Sequence, residues 1–258
     1  MFDQGSGNAI VVVQPLQGRW EWTRPALVEL ARHARVISYT LAGDFGSGRA
    51  QTPREFDEFV AQLRDVMDAA GVRRAALCGV SFGGAVAARF AARHPERVAC
   101  LVIASSPGPG WRASATQANY VARPWRSLPS FTAGALMRAT PEVFSALDTW
   151  SARLGFALRC GFTAVRYPSL PHVMAERVRL LERVDLAGEC AQITAPTLVV
   201  TGEPALDRVV PVESTRRYAD LIPNARVVTM ENTGHQGVLT QPRRFAALVS
   251  DFVNANHS

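Results

Sequence analysis

The stretch Gly79-Val80-Ser81-Phe82-Gly83 sets a serine between two glycines, after the apolar run Ala75–Val80 and before the helix-like run Ala85–His94. A buried strand that turns sharply into a helix exposes such a serine hydroxyl, and glycines two residues to either side relieve the crowding. The helix start leaves free N–H groups, of which that of Phe82 can stabilise an oxyanion. A serine hydroxyl is a weak nucleophile without a base, so the five histidines come next. His33 falls on an amphipathic helix, His94 at a helix end, His172 beside Pro171 and His257 in the tail. His235, in Asn232-Thr233-Gly234-His235, follows the last strand-like run and precedes the last helix. That is outside the carboxyl edge of a parallel sheet, where open α/β folds place their sites.

A base of this kind needs an acid to hold its tautomer. Asp207 stands in Gly202-Glu203-Pro204-Ala205-Leu206-Asp207, four residues ahead of Pro211, between a strand and a helix. Glu203 competes from nearer the strand end. The loop after the preceding strand, Ser106-Pro107-Gly108-Pro109-Gly110, offers no acid. Serine, histidine and carboxylate together point to nucleophilic acyl transfer.

These residues need a scaffold, and the hydrophobic pattern supplies one. Short Val-, Ile- and Leu-rich runs at Ala9–Val13, Arg35–Tyr39, Ala75–Val80, Val98–Ser105, Thr197–Thr201 and Arg226–Met230 alternate with amphipathic stretches. The pattern predicts an α/β fold: a mostly parallel, doubly wound sheet of about six strands with helices on both faces. Thr52-Pro53-Arg54-Glu55 reads as a capping box with proline at the first helical position. Phe56, Phe59, Val60, Leu63 and Met67 continue it as one apolar stripe, and Pro242 starts a last helix with a similar one. From Pro107 to Asp185 no buried strand is evident, only helix-like pieces broken by prolines. The expectation is a core of residues 1–106 and 186–258 with a helical cap, 107–185, inserted in it. That insert holds nine of the 21 aromatics and ten arginines against five acids. It suggests an apolar chamber with a positive rim that admits apolar or anionic substrates.

Composition removes other classes. With 258 residues, 48% hydrophobic and 19% charged, the chain has the make-up of a globular protein. No apolar run reaches the ~18–20 residues of a membrane span and the first residues do not resemble a secretory signal, so no membrane partner and a cytoplasmic location are expected. All 28 basic residues are arginine, but none forms a run longer than two or interleaves with aromatics, which sets nucleic acid aside. Cys78, Cys100, Cys160 and Cys190 match no metal spacing; neither metal, cofactor nor disulfide is expected, and the partner is a small-molecule acyl substrate. Nothing in the pattern bears on oligomeric state.

The order Ser81, Asp207, His235 resembles that of the α/β-hydrolase family over essentially the whole chain. Leu41-Ala42-Gly43-Asp44-Phe45-Gly46 is similar to that family's turn after its next strand, and the GE…D…VVP and TGH stretches match as well. The resemblance implies a triad of those three residues and an oxyanion hole from the N–H groups of Phe82 and Leu16. Three departures stand out. Gln14-Pro15 replaces the usual His-Gly before Leu16, the acid loop is two residues longer than the common form, and the N-terminal antiparallel hairpin is largely missing. The implied activity is hydrolysis of an ester, lactone or related acyl substrate. Carbon–carbon bond hydrolysis, acyl transfer, or ligand binding with little turnover are the alternatives on the same residues. A serine nucleophile argues against dehalogenase and epoxide hydrolase chemistry, for which family members use aspartate.

Overall fold

The computed structural model describes residues 1–49 and 51–256, so His257 lies outside it. Seven strands form one sheet in the order β1-β3-β2-β4-β5-β6-β7. They are β1 Phe2–Gln4, β2 Ala9–Val13, β3 Arg35–Ser38, β4 Ala75–Val80, β5 Val98–Ala104, β6 Thr197–Thr201 and β7 Ala225–Thr229. The six expected strands are present within a residue or so at each end. The seventh, β1, pairs antiparallel with β3, and all other pairs are parallel. The missing hairpin is thus reduced to one short edge strand.

The sheet is covered on both faces. Ile10, Val12, Ala76, Cys78 and Val102 point to one side, under α1 (Trp20–Leu30) and the last helix, α11 (Pro242–Asn256). Val11, Val13, Leu77, Leu101 and Ile103 point to the other, under α2 (Asp57–Ala69), α3 (Phe82–Arg93), α8 (Ala187–Cys190) and α9 (Val212–Leu221). The remaining helices are α4 (Ala115–Ala122), α5 (Leu128–Ala146), α6 (Trp150–Arg166), α7 (Pro171–Arg183) and the single turn α10 (Gly237–Thr240). Helices α4 to α7 all lie between β5 and β6 in the chain, where no strand was expected.

The capping box at Thr52 does not form. Helix α2 begins at Asp57, and Glu58 reaches back instead: its Oε1 accepts the N–H groups of Arg54 at 2.6 Å and Glu55 at 3.1 Å. One carboxylate thereby serves two amides for which a helix starting at Pro53 would have had only the Thr52 hydroxyl. The apolar stripe behaves as read, with Phe56, Phe59, Val60, Leu63 and Met67 all buried.

Strand order also decides where a site can form. The chain leaves β2 toward β3, then returns to place β4 on the other flank of β2. A crevice opens outside the carboxyl ends of adjacent strands at such a reversal. The segment leaving β2 carries Leu16, and the segment leaving β4 carries Ser81 and Phe82.

Candidate active site

Ser81 has φ 51° and ψ −120°, a conformation that non-glycine residues seldom adopt. Neighbours fix it there: the Ser81 N–H donates to Ala104 O at 2.8 Å, and its carbonyl accepts the Gly84 N–H at 2.8 Å. A side chain on Gly79 would collide with the Gly83 carbonyl, and one on Gly83 with the Val13 carbonyl. Both flanking glycines are therefore demanded by close backbone approach. Holding a serine in such geometry costs about 1–3 kcal/mol. Ser81→Gly should therefore unfold roughly 2–12 °C above Ser81→Ala in a thermal melt, at about 2–4 °C per kcal/mol. Equal midpoints would show that the turn stores no strain.

The His235 ring bridges the other two expected residues. Its Nε2 lies 3.2 Å from Ser81 Oγ, and its Nδ1 lies 3.4 Å from Asp207 Oδ2. The second contact is longer than a normal hydrogen bond, as unliganded sites often show, and Nδ1 has no other acceptor among the described residues. The Asp207 side chain is buried, and its Oδ1 accepts the N–H groups of Val209 and Val210 at 3.0 Å each. Burial pushes this carboxyl up, but His235 and the two amides outweigh it and hold it below the usual carboxylate range.

Glu203 does a different job. Its Oε1 accepts the Asn232 N–H at 2.7 Å, and its carbonyl accepts the N–H groups of Leu206 and Asp207. The longer acid loop is thus wound into a turn on Glu203, which ties it to the loop of His235 without touching the ring.

The segment after β2 is equally well anchored. Gln14 is fully buried; its Nε2 donates to Ser38 Oγ at 2.6 Å and its Oε1 accepts from Thr23 Oγ1 at 2.7 Å. Pro15 and Gly18 close a turn through Gly18 N–H to Pro15 O at 2.8 Å, with Gly18 at φ +75°. The N–H groups of Leu16 and Phe82 find no acceptor among the described residues. Two amides without partners, one from each side of the crevice, are what an oxyanion hole requires.

Two important residues gave no sequence signal. Arg177, on α7, is buried and forms an ion pair with Asp44; its Nη1 donates to Leu16 O at 2.9 Å and its Nη2 to Ala42 O at 3.0 Å. It clamps the Leu16 turn to the Gly43-Asp44 turn. Glu142 is the only buried residue of α5. Its Oε2 accepts the Gln236 N–H at 2.9 Å and its Oε1 the Thr240 hydroxyl at 3.0 Å, so it grips the chain just after His235. Burial pushes its carboxyl above the usual range, against those bonds and nearby His235. Glu142→Ala strands the Gln236 amide and should cost about 1–3 kcal/mol in denaturant unfolding. Glu142→Gln keeps an acceptor for that amide without the buried charge and should stay near wild type. A Gln variant as unstable as the Ala one would count against this account.

Ser81 is only 7% exposed, so a substrate reaches it through a restricted opening. A cavity of about 10 Å³ beside His235 is too small for one, and a cleft of about 360 Å³ runs between α6 and α10, lined by Phe156, Arg159, Leu239 and Thr240. The aromatic chamber expected of the 107–185 segment needs correction. Of its nine aromatics only Phe156 is buried, while Trp125, Phe144, Trp150 and Phe162 are exposed. Helix α6 turns Phe156 and Thr163 inward, which at 3.6 residues per turn sends Trp150 and Phe162 out. All four cysteines are free thiols.

Comparison with known proteins agrees with this fold. A relative from Pseudomonas putida, a 2-hydroxy-6-oxo-2,4-heptadienoate hydrolase, is 30% identical over 268 aligned positions, covering 99% of this chain and 92% of its own. A pimeloyl-[acyl-carrier protein] methyl ester esterase from Aliivibrio fischeri is 26% identical, covering 97% and 95%. The crystal structure of the enol-lactonase from Burkholderia xenovorans superposes with a TM-score of 0.82 at 20% identity, over 98% of this chain and 95% of that one. The model of the alpha/beta hydrolase fold matches residues 9–242, and with those relatives it makes this chain a hydrolase of the alpha/beta hydrolase family.

Proposed function

We propose that this chain is a serine hydrolase for a small ester, lactone or related acyl substrate, working through Ser81, His235 and Asp207. The observation that carries the reading is the His235 ring set between Ser81 Oγ at 3.2 Å and Asp207 Oδ2 at 3.4 Å. His235 Nε2 takes the Ser81 proton as Oγ attacks the carbonyl carbon. The oxyanion that forms rests on the N–H groups of Phe82 and Leu16, which no acceptor among the described residues occupies. Collapse expels the leaving group, which receives the proton from His235. Water, deprotonated by the same nitrogen, then releases the acid and restores Ser81.

Segment 107–185 serves in this reading as a cap. In support, α5 bonds to the chain after His235 through Glu142, α7 bonds to Leu16 through Arg177, and Ser81 is nearly covered. Carbon–carbon bond hydrolysis is the second reading, favoured by the 30% identical relative whose name describes an oxo-dienoate hydrolase. Both can run on one triad, since each passes through attack on a carbonyl and loss of a leaving group.

A fluorophosphonate probe tests the triad: it should label wild type at Ser81 and leave Ser81→Ala unlabelled. Steady-state turnover of short aryl esters, set beside a 6-oxo-dienoate, then ranks the two chemistries. Labelling without multiple turnover of either would reject the enzyme reading in favour of ligand binding.

A further inference from the structure

Helix α6 has an outer face that nothing in the molecule covers. Trp150, Leu154, Leu158, Phe162 and Val165 are 60–85% exposed. At 3.6 residues per turn they fall within about 60° of one line, opposite the inward Phe156 and Thr163. Single exposed apolar residues are ordinary, but a stripe along four turns of one helix is not. Phe144 at the end of α5 extends it, its ring 5.7 Å from that of Trp150.

The charges beside the stripe narrow down what can cover it. Helix α6 carries Arg153, Arg159 and Arg166 and no acid. Arg153 lies against the Phe144 and Trp150 rings at 4.2 and 5.3 Å, and Arg166 sits over Tyr167 at 5.1 Å. The Arg153 and Arg166 guanidinium groups thus lie on aromatic faces beside the stripe, and Arg153 also donates to Leu147 O at 2.9 Å and Phe144 O at 3.2 Å. A second copy pairing through this face about a two-fold axis would set the three arginines of one helix against the three of the other, with Asp148 just before the helix as an acid at one end.

We infer that the α6 face docks this protein on an anionic membrane surface, the stripe sinking into the interface while the arginines meet lipid phosphates. A basic flank with Trp, Leu and Phe on the other face is the signature of a helix lying in the interfacial plane. No described helix is long and apolar enough to cross a membrane, and a surface helix does not need to. The expectation of no membrane partner came from the lack of a span and of a secretory-like start, and the experiment below decides between it and this inference. It stands independently of the triad, because no residue of the stripe touches Ser81, His235 or Asp207.

The test is co-sedimentation of the full chain with vesicles of phosphatidylcholine alone or mixed with phosphatidylglycerol, alongside light scattering of the free protein. Wild type should partition at least ten-fold more to the anionic vesicles, and that excess should fall as salt rises from 0.1 to 1 M, which shortens the screening length from ~10 to ~3 Å. Leu158→Glu/Phe162→Glu should abolish binding, and Arg153→Gln/Arg166→Gln should weaken it roughly five-fold or more per arginine. Arg166 is exposed, and Arg166→Gln alone keeps the test open if the glutamate pair misfolds or if losing the Arg153 bonds to Leu147 O and Phe144 O disturbs the helix. Equal partition to both vesicle types, or undiminished binding by the arginine pair, overturns the inference. So does a free wild-type dimer that Leu158→Glu/Phe162→Glu converts to monomer, since the face would then belong to a second copy.

Discussion

Ser81→Ala removes roughly 10⁴–10⁶ of the hydrolytic rate and leaves the fold intact. The loss is large because the variant lacks the hydroxyl that stands 3.2 Å from His235 Nε2 and, in the proposed mechanism, forms the acyl intermediate. The fold survives because the contacts that hold the turn are backbone ones: Ser81 N–H to Ala104 O, and Gly84 N–H to Ser81 O. What remains in the variant is binding and the two free amides of Leu16 and Phe82. Rates would be compared by single-turnover and steady-state assays on one aryl ester, with near-ultraviolet dichroism reporting the fold. A variant that keeps a tenth of wild-type activity would remove Ser81 from the mechanism.

Asp207→Asn has the second-largest expected effect, a loss of roughly 10⁴ in rate. The amide can still accept from Val209 and Val210, so the loop keeps its shape, but an NH2 turned toward His235 Nδ1 favours the wrong tautomer. Glu203→Gln should cost far less, because Glu203 Oε1 only receives the Asn232 amide, which a glutamine oxygen can also do. Parallel assays of the two variants decide the acid, and the opposite ranking would move the role to Glu203. The pH behaviour has a definite sign. A carboxyl held below the usual range stabilises the fold above that range, and this contribution fades as pH falls through the lowered value. The Asn variant should therefore show a shallower acid-side loss of stability than wild type.

How far these residues were readable depended on whether backbone or side-chain packing set their place. Ser81 was legible because Gly79 and Gly83 are forced by close backbone contact, which leaves a fixed mark in the sequence. His235 and Asp207 were legible from chain order, since each sits in a loop at the carboxyl edge of the sheet. The short strand Phe2–Gln4 escaped because three residues carry too little period-2 pattern to register. Helix α2 started late because Glu58, not Glu55, captured the free amides, and competing acids at adjacent turns look alike in sequence. Arg177 was hidden among 28 arginines, none of which differs in composition from another. The direction of the aromatics in 107–185 could not be read either, since nothing in their spacing says which face of α6 meets the core.

Glu142 has a consequence for motion. A helix of 19 residues whose one fully buried side chain is a carboxylate buries little apolar surface, so the bonds from Glu142 to Gln236 and Thr240 and from Ser145 to Asn232 weigh heavily in its attachment. Pro141, immediately before it, also removes one helical N–H. Elements with few buried apolar contacts open at much lower free energy than the global unfolding of a domain. Lifting α5 away from the sheet would therefore break the Glu142 bonds to Gln236 and Thr240, and in the proposed mechanism it would loosen the chain just after the base His235 while the sheet beneath stays folded.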